Sequence, residues 1–256
     1  MGCSKKVVIT LPISRSVKTT TYRAVPRCLL TVIDRLTKVG KFVRCITSAT
    51  FDGRMSERNR MCYSIPQILQ CYAQGYFLMA EEDGQTLNWY SSSRRALIPL
   101  DDRFRYPKSL KRTLNQNRFS SAINRDFEGV LEGCANRKTT WISEELKAVY
   151  RRLHRAGYAH SFETWQGDQL AGGFLGITMG GVFIGESMFY NIPEGSKAAM
   201  VMLVNHLRKR NFTLFDAQII NPHLERFGAY EVEQEEYEAM LYVAIQTPCQ
   251  FTDQFL

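Results

Sequence analysis

The sequence predicts an α+β fold whose sheet is mostly antiparallel. Helices and strands follow one another without the regular strand–helix repeat of a doubly wound protein, and three successive apolar strands are separated only by short glycine-containing turns. No G-x-G-x-x-G or Walker-type loop occurs, so nucleotide-cofactor folds have no support. With 256 residues and 45% hydrophobic side chains, the chain is long enough to bury a substantial core.

The first predicted helix follows Ser64, a residue type that favours helix N-caps, and stops at Gly75. Short strands over 87–91 and 96–98 complete a small α+β unit. The later elements are predicted from their apolar periods and from the turn residues between them: helices 108–115, 126–134 and 143–157, strands 158–165, 170–178 and 182–188, helix 196–209, strand 213–216, a short helix near His223 and a helix over 233–245.

The positive charge of the chain is concentrated in its first 60 residues. These hold 13 Lys and Arg against three acidic residues, whereas residues 61–256 hold 20 basic and 22 acidic ones. Three interpretations stay open for the basic segment: an organelle transit peptide, a basic arm for nucleic acid, or upstream sequence translated from a misassigned start. We divide the chain into a basic, disordered extension over 1–60, a small α+β domain over 61–105 and a larger domain over 106–256.

The pattern of cysteines and the hydropathy of the chain indicate the cellular compartment in which the protein works. The seven cysteines are odd in number, scattered and without any C-x-x-C pair, which favours reduced thiols over a disulfide framework or a zinc site. The longest uncharged run, over 170–185, falls short of the roughly 18 residues that a membrane span needs. We expect a cytoplasmic protein without a metal site or a membrane segment.

Three sets of polar residues interrupt the predicted strands. Glu186 enters an apolar strand, where a carboxylate must pair or titrate abnormally; the alternative is a Glu that faces solvent at the strand end. Asp216 and Gln218 share one face of a regular strand, so the carboxylate could accept a hydrogen bond from the amide; alternatively the two cap the following helix. His160 has no nucleophile in a recognisable elbow, and we interpret it as a hydrogen-bonded structural residue.

A basic helix face is the local signal for nucleic acid. Lys108, Lys111 and Arg112 lie within two turns of one predicted helix, a pattern that contacts phosphates without reading bases and that is also common on solvated helix faces. Trp141 and Trp89 could stack on a base or belong to the core.

A set of ordered motifs lies between about residues 65 and 241: Gly185-Glu186-Ser187-Met188-Phe189, Ser196-Lys197, Asp216-x-Gln218, His223-Leu224 with Phe227-Gly228-Ala229, Thr140-Trp141-Ile142, Leu153-His154-x-x-Gly157-x-Ala159-His160-Ser161, Gly75-Tyr76-Phe77 and Trp89-Tyr90-Ser91. Together these motifs closely resemble the leucyl/phenylalanyl-tRNA-protein transferases. Residues 1–60 match nothing in that family, which favours the misassigned start.

The resemblance implies an aminoacyltransferase (a leucyltransferase) that moves Leu or Phe, with Met as a further candidate, from aminoacyl-tRNA to the N-terminal Arg or Lys of a protein. The new peptide bond marks that protein for degradation by the N-end rule. It also implies a C-terminal domain similar to the GNAT (acyl-CoA N-acyltransferase-like) fold, no cofactor and a monomer. Asp216 would polarise Gln218, Gln218 would draw a proton from the attacking amine, and Glu186 would hold the cationic acceptor or the aminoacyl end.

The resemblance also implies how the charged tRNA is bound. Phe174 and Met188 would form an apolar slot for the Leu or Phe side chain, with Ser187 beside them, and Trp141 would stack on the terminal adenosine. The basic helix, with Lys108, Lys111 and Arg112, would hold the acceptor stem.

One position departs from the family pattern. Many members have a Trp where this chain has Met79, which predicts weaker binding of the tRNA end. Two other classes of protein are alternatives. A GNAT-like enzyme that uses acyl-CoA is disfavoured because residues 191–195 offer one Gly and no Arg to bind a pyrophosphate. A non-enzymatic RNA-binding module is the second alternative.

Overall fold

The computed structural model describes residues 7–9, 20–22, 63–137 and 140–253. The chain divides into two compact units, Met1–Cys62 and Tyr63–Leu256. In the first unit, β1 (Val7–Ile9) pairs antiparallel with β2 (Thr20–Tyr22). The rest of the predicted extension over 1–60 lies outside the described residues.

The described part of the second unit contains helices and strands in an irregular order, which confirms the α+β prediction. Its helices are α1 (Ile65–Ala73), α2 (Lys108–Asn115), α3 (Phe127–Ala135), α4 (Glu144–Arg155), α5 (Gly195–Lys209), α6 (Pro222–Glu225) and α7 (Gln234–Gln246). Its strands are β3 (Phe77–Ala80), β4 (Leu87–Tyr90), β5 (Arg94–Ile98), β6 (Ser120–Ile123), β7 (Ala159–Gln166), β8 (Gln169–Met179), β9 (Val182–Tyr190), β10 (Leu214–Gln218) and β11 (Tyr230–Glu233). None of the described helices is long and apolar enough to cross a bilayer.

Local hydrogen bonds explain where several helices begin. The Ser143 side chain accepts from the Leu146 N–H at the start of α4, and Asp126 accepts from the Gly129 N–H at the start of α3. Ser64 donates its backbone N–H to the Gln67 side chain, as in a capping box. Such local signals allowed these boundaries to be predicted to within a residue or two.

One seven-stranded sheet organises the second unit, in the order β11-β5-β10-β9-β8-β7-β6. Its neighbours are antiparallel except β9 and β10, which are parallel. Their pairing ends at Ile184 and Asp216, although β9 continues to Tyr190. Beyond that point β9 has no hydrogen-bonded neighbour on this side among the residues that the structure describes, and we call this opening the β9–β10 gap.

Helices cover both faces of the sheet. Apolar side chains of α1, α3, α4 and α7 pack on one face, and those of α2, α5 and α6 pack on the other. Successive side chains of β8 point to opposite faces of the sheet and contribute to both cores: Leu175 packs on the α4 side and Phe174 on the α5 side. The site described below lies between these two cores.

Three short strands of the second unit were missed by the sequence analysis, namely β3, β6 and β11, and so was the β1–β2 pair of the first unit. The three strands of the second unit are short. Each has four residues, too few for a period to stand out. β5, which the sequence analysis grouped with the part over 61–105, lies between β10 and β11 in the large sheet. The small β3–β4 pair remains separate from that sheet.

Candidate active site

The end of β10 is irregular, and this irregularity places Asp216 and Gln218. Asp216 pairs with Leu97 and Gln218 with Ala96, so Ala217 is an extra residue in the strand. Gln218 has a φ of 63°, in the left-handed region that non-glycine residues rarely adopt. The bulge therefore gives Gln218 a backbone conformation that a regular strand does not provide.

Asp216 is completely buried, and groups of this chain occupy both carboxylate oxygens. Arg95 donates from Nε to Oδ1 at 2.8 Å and from Nη2 to Oδ2 at 2.7 Å. The Tyr237 hydroxyl donates to Oδ2 at 2.7 Å, and the Gln218 backbone N–H donates to Oδ1 at 2.8 Å. The expected contact between the Asp216 carboxylate and the Gln218 side-chain amide is therefore wrong: Asp216 contacts Gln218 through the backbone N–H, and the side-chain amide donates to Glu186 instead.

Arg95 connects β10 to the turn after α1. Its side chain is fully buried between the rings of Phe77 and Tyr237, 5.0 and 4.6 Å from the guanidinium carbon. It also donates to the Gly75 carbonyl at 3.1 Å. Burial by itself lowers the pKa of Arg95, but the charges of Asp216, Tyr237 and Glu186 together with the hydrogen bonds to Asp216 outweigh it and raise the pKa, so Arg95 stays charged.

Glu186 is a buried carboxylate next to the β9–β10 gap. It has no direct partner on β8, because Leu175 pairs with Ser187 and Gly176 with Gly185; the strand bulges at Glu186. Its Oε2 accepts from the Tyr150 hydroxyl at 2.9 Å and from Gln218 Nε2 at 3.3 Å. Its Oε1 is buried and has no hydrogen-bond partner in the described part of the chain.

Burial raises the pKa of Glu186 to about 7, although the neighbouring polar groups of Tyr150, Tyr72 and Gln218 act in the opposite direction. Burial, followed by the charge of Glu186, in turn raises the pKa values of Tyr150 and Tyr72 well above the ordinary value. The two phenols stay protonated, while Glu186 exchanges a proton near neutral pH. A carboxyl group with this pKa and one free oxygen can serve as a general base.

The structure brings together the two residues expected to form the apolar slot. Phe174 on β8 is directly opposite Met188 on β9, and both pack on the α5 side of the sheet. The Phe174 ring lies 6.3 Å from the Phe215 ring. Glu186 lies on the α4 side, as Ile184 does, and Met188 lies on the α5 side because the bulge separates the two residues. Slot and carboxylate therefore flank the same stretch of β9.

Ser187 lies at the outer side of this stretch. Its hydroxyl accepts from Arg137 Nη2 at 3.2 Å, and the same nitrogen donates to the Met188 carbonyl at 2.7 Å.

The two residues expected near a tRNA-terminal adenosine lie at the α4 side of the sheet. Trp141 is half-buried, and its carbonyl accepts from the Ala80 N–H at 3.2 Å. Met79, the residue before Ala80, is half-buried opposite Asn88. Trp89 instead packs edge-to-face against Tyr72, with ring centroids 5.3 Å apart, and belongs to the core rim.

The basic helix α2 is anchored by its apolar side. Leu110 is fully buried against the α5 core, whereas Lys108, Lys111 and Arg112 are exposed. None of the three forms an ion pair with a residue that the structure describes. Three uncompensated cations on one solvent-facing surface are suited to a phosphate backbone.

His160 and the nearby Glu163 are structural. His160 is buried, its ring nitrogens contact the Asn124 amide and the Gly157 carbonyl, and burial lowers its pKa to about 4. Glu163 accepts from the Ser161 hydroxyl and from Trp165 Nε1. The interpretation of His160 as a hydrogen-bonded structural residue is confirmed.

Sequence reasoning missed four residues of this cluster: Arg95, Tyr72, Tyr150 and Tyr237. The only sequence signal for Arg95 was its charge at the start of an apolar strand, and a charged residue there is usually on the surface. Its partner is 121 residues away, so no local pattern connects them. In the described ranges, no group of three His, Cys, Asp or Glu side chains could hold a metal ion.

Two family profiles match the chain. The profile described as leucyl/phenylalanyl-tRNA protein transferase covers residues 97–242, and that of the N-terminal domain of the same proteins covers residues 61–93. Both descriptions define a class, transferases that involve a tRNA and a protein.

Curated relatives agree with the profiles. A leucyl/phenylalanyl-tRNA–protein transferase of Nostoc sp. is 64% identical over 188 residues, 73% of this chain and 98% of the relative. The protein of that name from Thermosynechococcus vestitus is 67% identical over 180 residues, 70% of this chain and 91% of the relative. The one from Chlorobaculum parvum is 46% identical over 185 residues, 71% and 95% of the two chains. The chain belongs to the leucyl/phenylalanyl-tRNA–protein transferase family.

Proposed function

We propose that this protein transfers Leu or Phe, with Met as a further donor, from aminoacyl-tRNA to the N-terminal Arg or Lys of acceptor proteins. The observation that carries the proposal is the buried Glu186, which holds one free carboxylate oxygen at the β9–β10 gap beside Gln218 and the Phe174–Met188 slot. An aminoacyl ester is already activated, so the reaction needs a held carbonyl and an unprotonated amine.

Three parts of the charged tRNA would be bound by different residues: the amino-acid side chain, the terminal adenosine and the acceptor stem. Phe174 and Met188 take the side chain, and a Met wall adapts to both Leu and Phe. Trp141 stacks on the terminal adenosine. The exposed cations of α2 hold the acceptor stem through its phosphates.

The bond changes can be assigned to named groups. The acceptor α-amine attacks the ester carbonyl carbon, a C–N bond forms, and the C–O bond to the ribose breaks. Glu186 Oε1 accepts the proton that the amine loses and returns it to the leaving ribose oxygen. Gln218 holds Glu186 through its amide nitrogen and presents its amide oxygen to the amine.

Asp216 has a supporting role in this scheme. Both of its oxygens are held by Arg95, Tyr237 and the Gln218 backbone, so none remains for substrate. Its contribution is to fix the left-handed backbone of Gln218 and thereby aim the Gln218 side chain at Glu186.

The finer structural predictions are part of the same proposal. A parallel β9–β10 pair that stops hydrogen bonding halfway, inside an otherwise antiparallel sheet, supports a GNAT-like domain that includes β5 as well as residues 106–256. We further propose a monomer that works in the cytoplasm, where charged tRNA is abundant, and whose product marks acceptors for the N-end rule.

The test is transfer of labelled Leu from charged tRNA to a peptide that begins with Arg, beside the same peptide with an acetylated N-terminus. The first peptide should be labelled and the second should not, because acetylation removes the nucleophile. Gln218→Ala should lower turnover by about a hundredfold or more, whereas Gln246→Ala, at an exposed glutamine, should not. A chain that labels neither peptide, or both, contradicts the proposal.

A further inference from the structure

Arg137 stands at the outer edge of the candidate active site. It lies two residues beyond α3, and its Nη2 donates to the Met188 carbonyl at 2.7 Å and to the Ser187 hydroxyl at 3.2 Å. These two contacts fix one end of the guanidinium on β9, next to the wall of the apolar slot. The side chain is nevertheless exposed.

The rest of the guanidinium is available for a ligand. No carboxylate among the described residues forms an ion pair with Arg137, and its Nη1 and Nε donate to no described acceptor. A planar fork whose orientation is fixed by the protein, but whose remaining N–H groups are open, is suited to bind an anion with two oxygens. Arg95, in contrast, is fully engaged by Asp216.

The position of Arg137 indicates which anion it binds. Its Nη2 contacts the Met188 carbonyl, whereas the Met188 side chain lines the slot on the α5 side of the sheet. Arg137 is also four residues before Trp141 in the loop between α3 and α4. A donor with its side chain in the slot on the α5 side and its adenine on Trp141 on the α4 side would carry its ribose past this stretch of β9. The group that extends from that ribose towards the rest of the tRNA is the 5′-phosphate of the terminal nucleotide.

We propose that Arg137 binds the 5′-phosphate of the terminal adenosine and so sets the position of the aminoacyl ester relative to Glu186. This inference rests on the proposed function and adds a phosphate site to it. It separates two tasks: the cations of α2 hold the acceptor stem, and Arg137 holds the last phosphodiester, next to the reacting bond.

The test uses two small donors that lack the rest of the tRNA, with an Arg-initiated peptide as acceptor. Both carry Leu as an ester on the 3′ oxygen of adenosine, and only the second carries a free 5′-phosphate. The native chain should use the phosphorylated donor with a KM lower by about tenfold, since a charge-assisted hydrogen bond to a phosphate contributes that much. Arg137→Gln should remove this preference, and Arg137→Lys should keep part of it. Arg155→Gln, an exposed arginine at the end of α4, should leave it intact.

The opposing reading is that Arg137 only anchors β9 through the Met188 carbonyl. In that case Arg137→Gln lowers transfer from both donors by the same factor, and the proposal is overturned. Equal use of the two donors by the native chain overturns it as well, while leaving the proposed transferase activity intact. A native chain that transfers Leu from neither small donor nor charged tRNA overturns both proposals.

Discussion

Arg95 and Asp216 form a two-point ion pair in which both side chains are completely buried, at 2.8 and 2.7 Å. Because Arg95 also donates to the Gly75 carbonyl, the pair joins the turn after α1 to the end of β10. Asp216 in turn accepts the Gln218 N–H, which holds the bulge that aims Gln218 at Glu186. The Asp216 carboxylate thus contributes by fixing the position of Gln218.

The first prediction concerns this pair. Arg95→Met leaves a buried carboxylate without its countercharge and should lower the free energy of unfolding by about 3–5 kcal/mol. Arg95→Met with Asp216→Asn should cost clearly less than the two single changes together. Urea unfolding of the four proteins measures the coupling. The exposed Arg103–Asp101 pair is the control, with an expected coupling below about 1 kcal/mol. Additive effects at Arg95 and Asp216 would contradict this account.

The second prediction concerns the pH dependence of stability. The pKa of Glu186 is about 7 in the folded protein against an ordinary value of 4.5, so the folded state binds more protons between these values. The contribution of Glu186 to stability is therefore fully present below about pH 4.5 and is lost as the pH rises through 7, about 3 kcal/mol in total. Glu186→Gln cannot ionise and should gain stability relative to the native chain over this window.

Unfolding of both proteins at pH 5 and at pH 8 measures this difference, and other titrating groups cancel in the comparison. A stability difference that is the same at the two pH values would mean that Glu186 is not held in an environment that disfavours its charge.

The third prediction separates the backbone of Gln218 from its side chain. Gln218→Gly and Gln218→Ala both remove the amide, so both should lose transfer. Glycine adopts a φ of 63° without strain, whereas alanine does not, and the glycine variant should be more stable than the alanine variant by about 1 kcal/mol. Thermal unfolding compares the two; an alanine variant of equal or greater stability would show that the left-handed backbone carries no strain.

The fourth prediction concerns the basic face of α2. Lys111→Ala with Arg112→Ala should weaken tRNA binding and reduce the slope of log affinity against log salt by about one for each lost phosphate contact. Lys209→Ala with Arg155→Ala removes the same charge from other exposed positions and should leave that slope nearly unchanged. Titrations of tRNA at several salt concentrations measure both. Equal slopes for the two double variants would exclude α2 as the acceptor-stem site.

Regular features of this chain were predictable and two irregular ones were not. Capping residues and apolar periods predicted α2 without error and most other helices to within two residues, because these signals are local. The bulges at Glu186 and at Ala217 leave no local signal, yet they decide where Glu186 and Gln218 point. The regular-strand argument therefore paired the Gln218 amide with Asp216, whereas the structure pairs it with Glu186.

The proposed role of Glu186, to take the proton from the attacking amine, is tested by the single-turnover rate of peptide-bond formation. Charged tRNA and an Arg-initiated peptide are both supplied at saturating concentration to the native chain and to Glu186→Gln. The rate should be lower by about a hundredfold or more in the variant, with tRNA binding unchanged. A variant that forms the peptide bond at the native rate would contradict the assignment of Glu186 as the base.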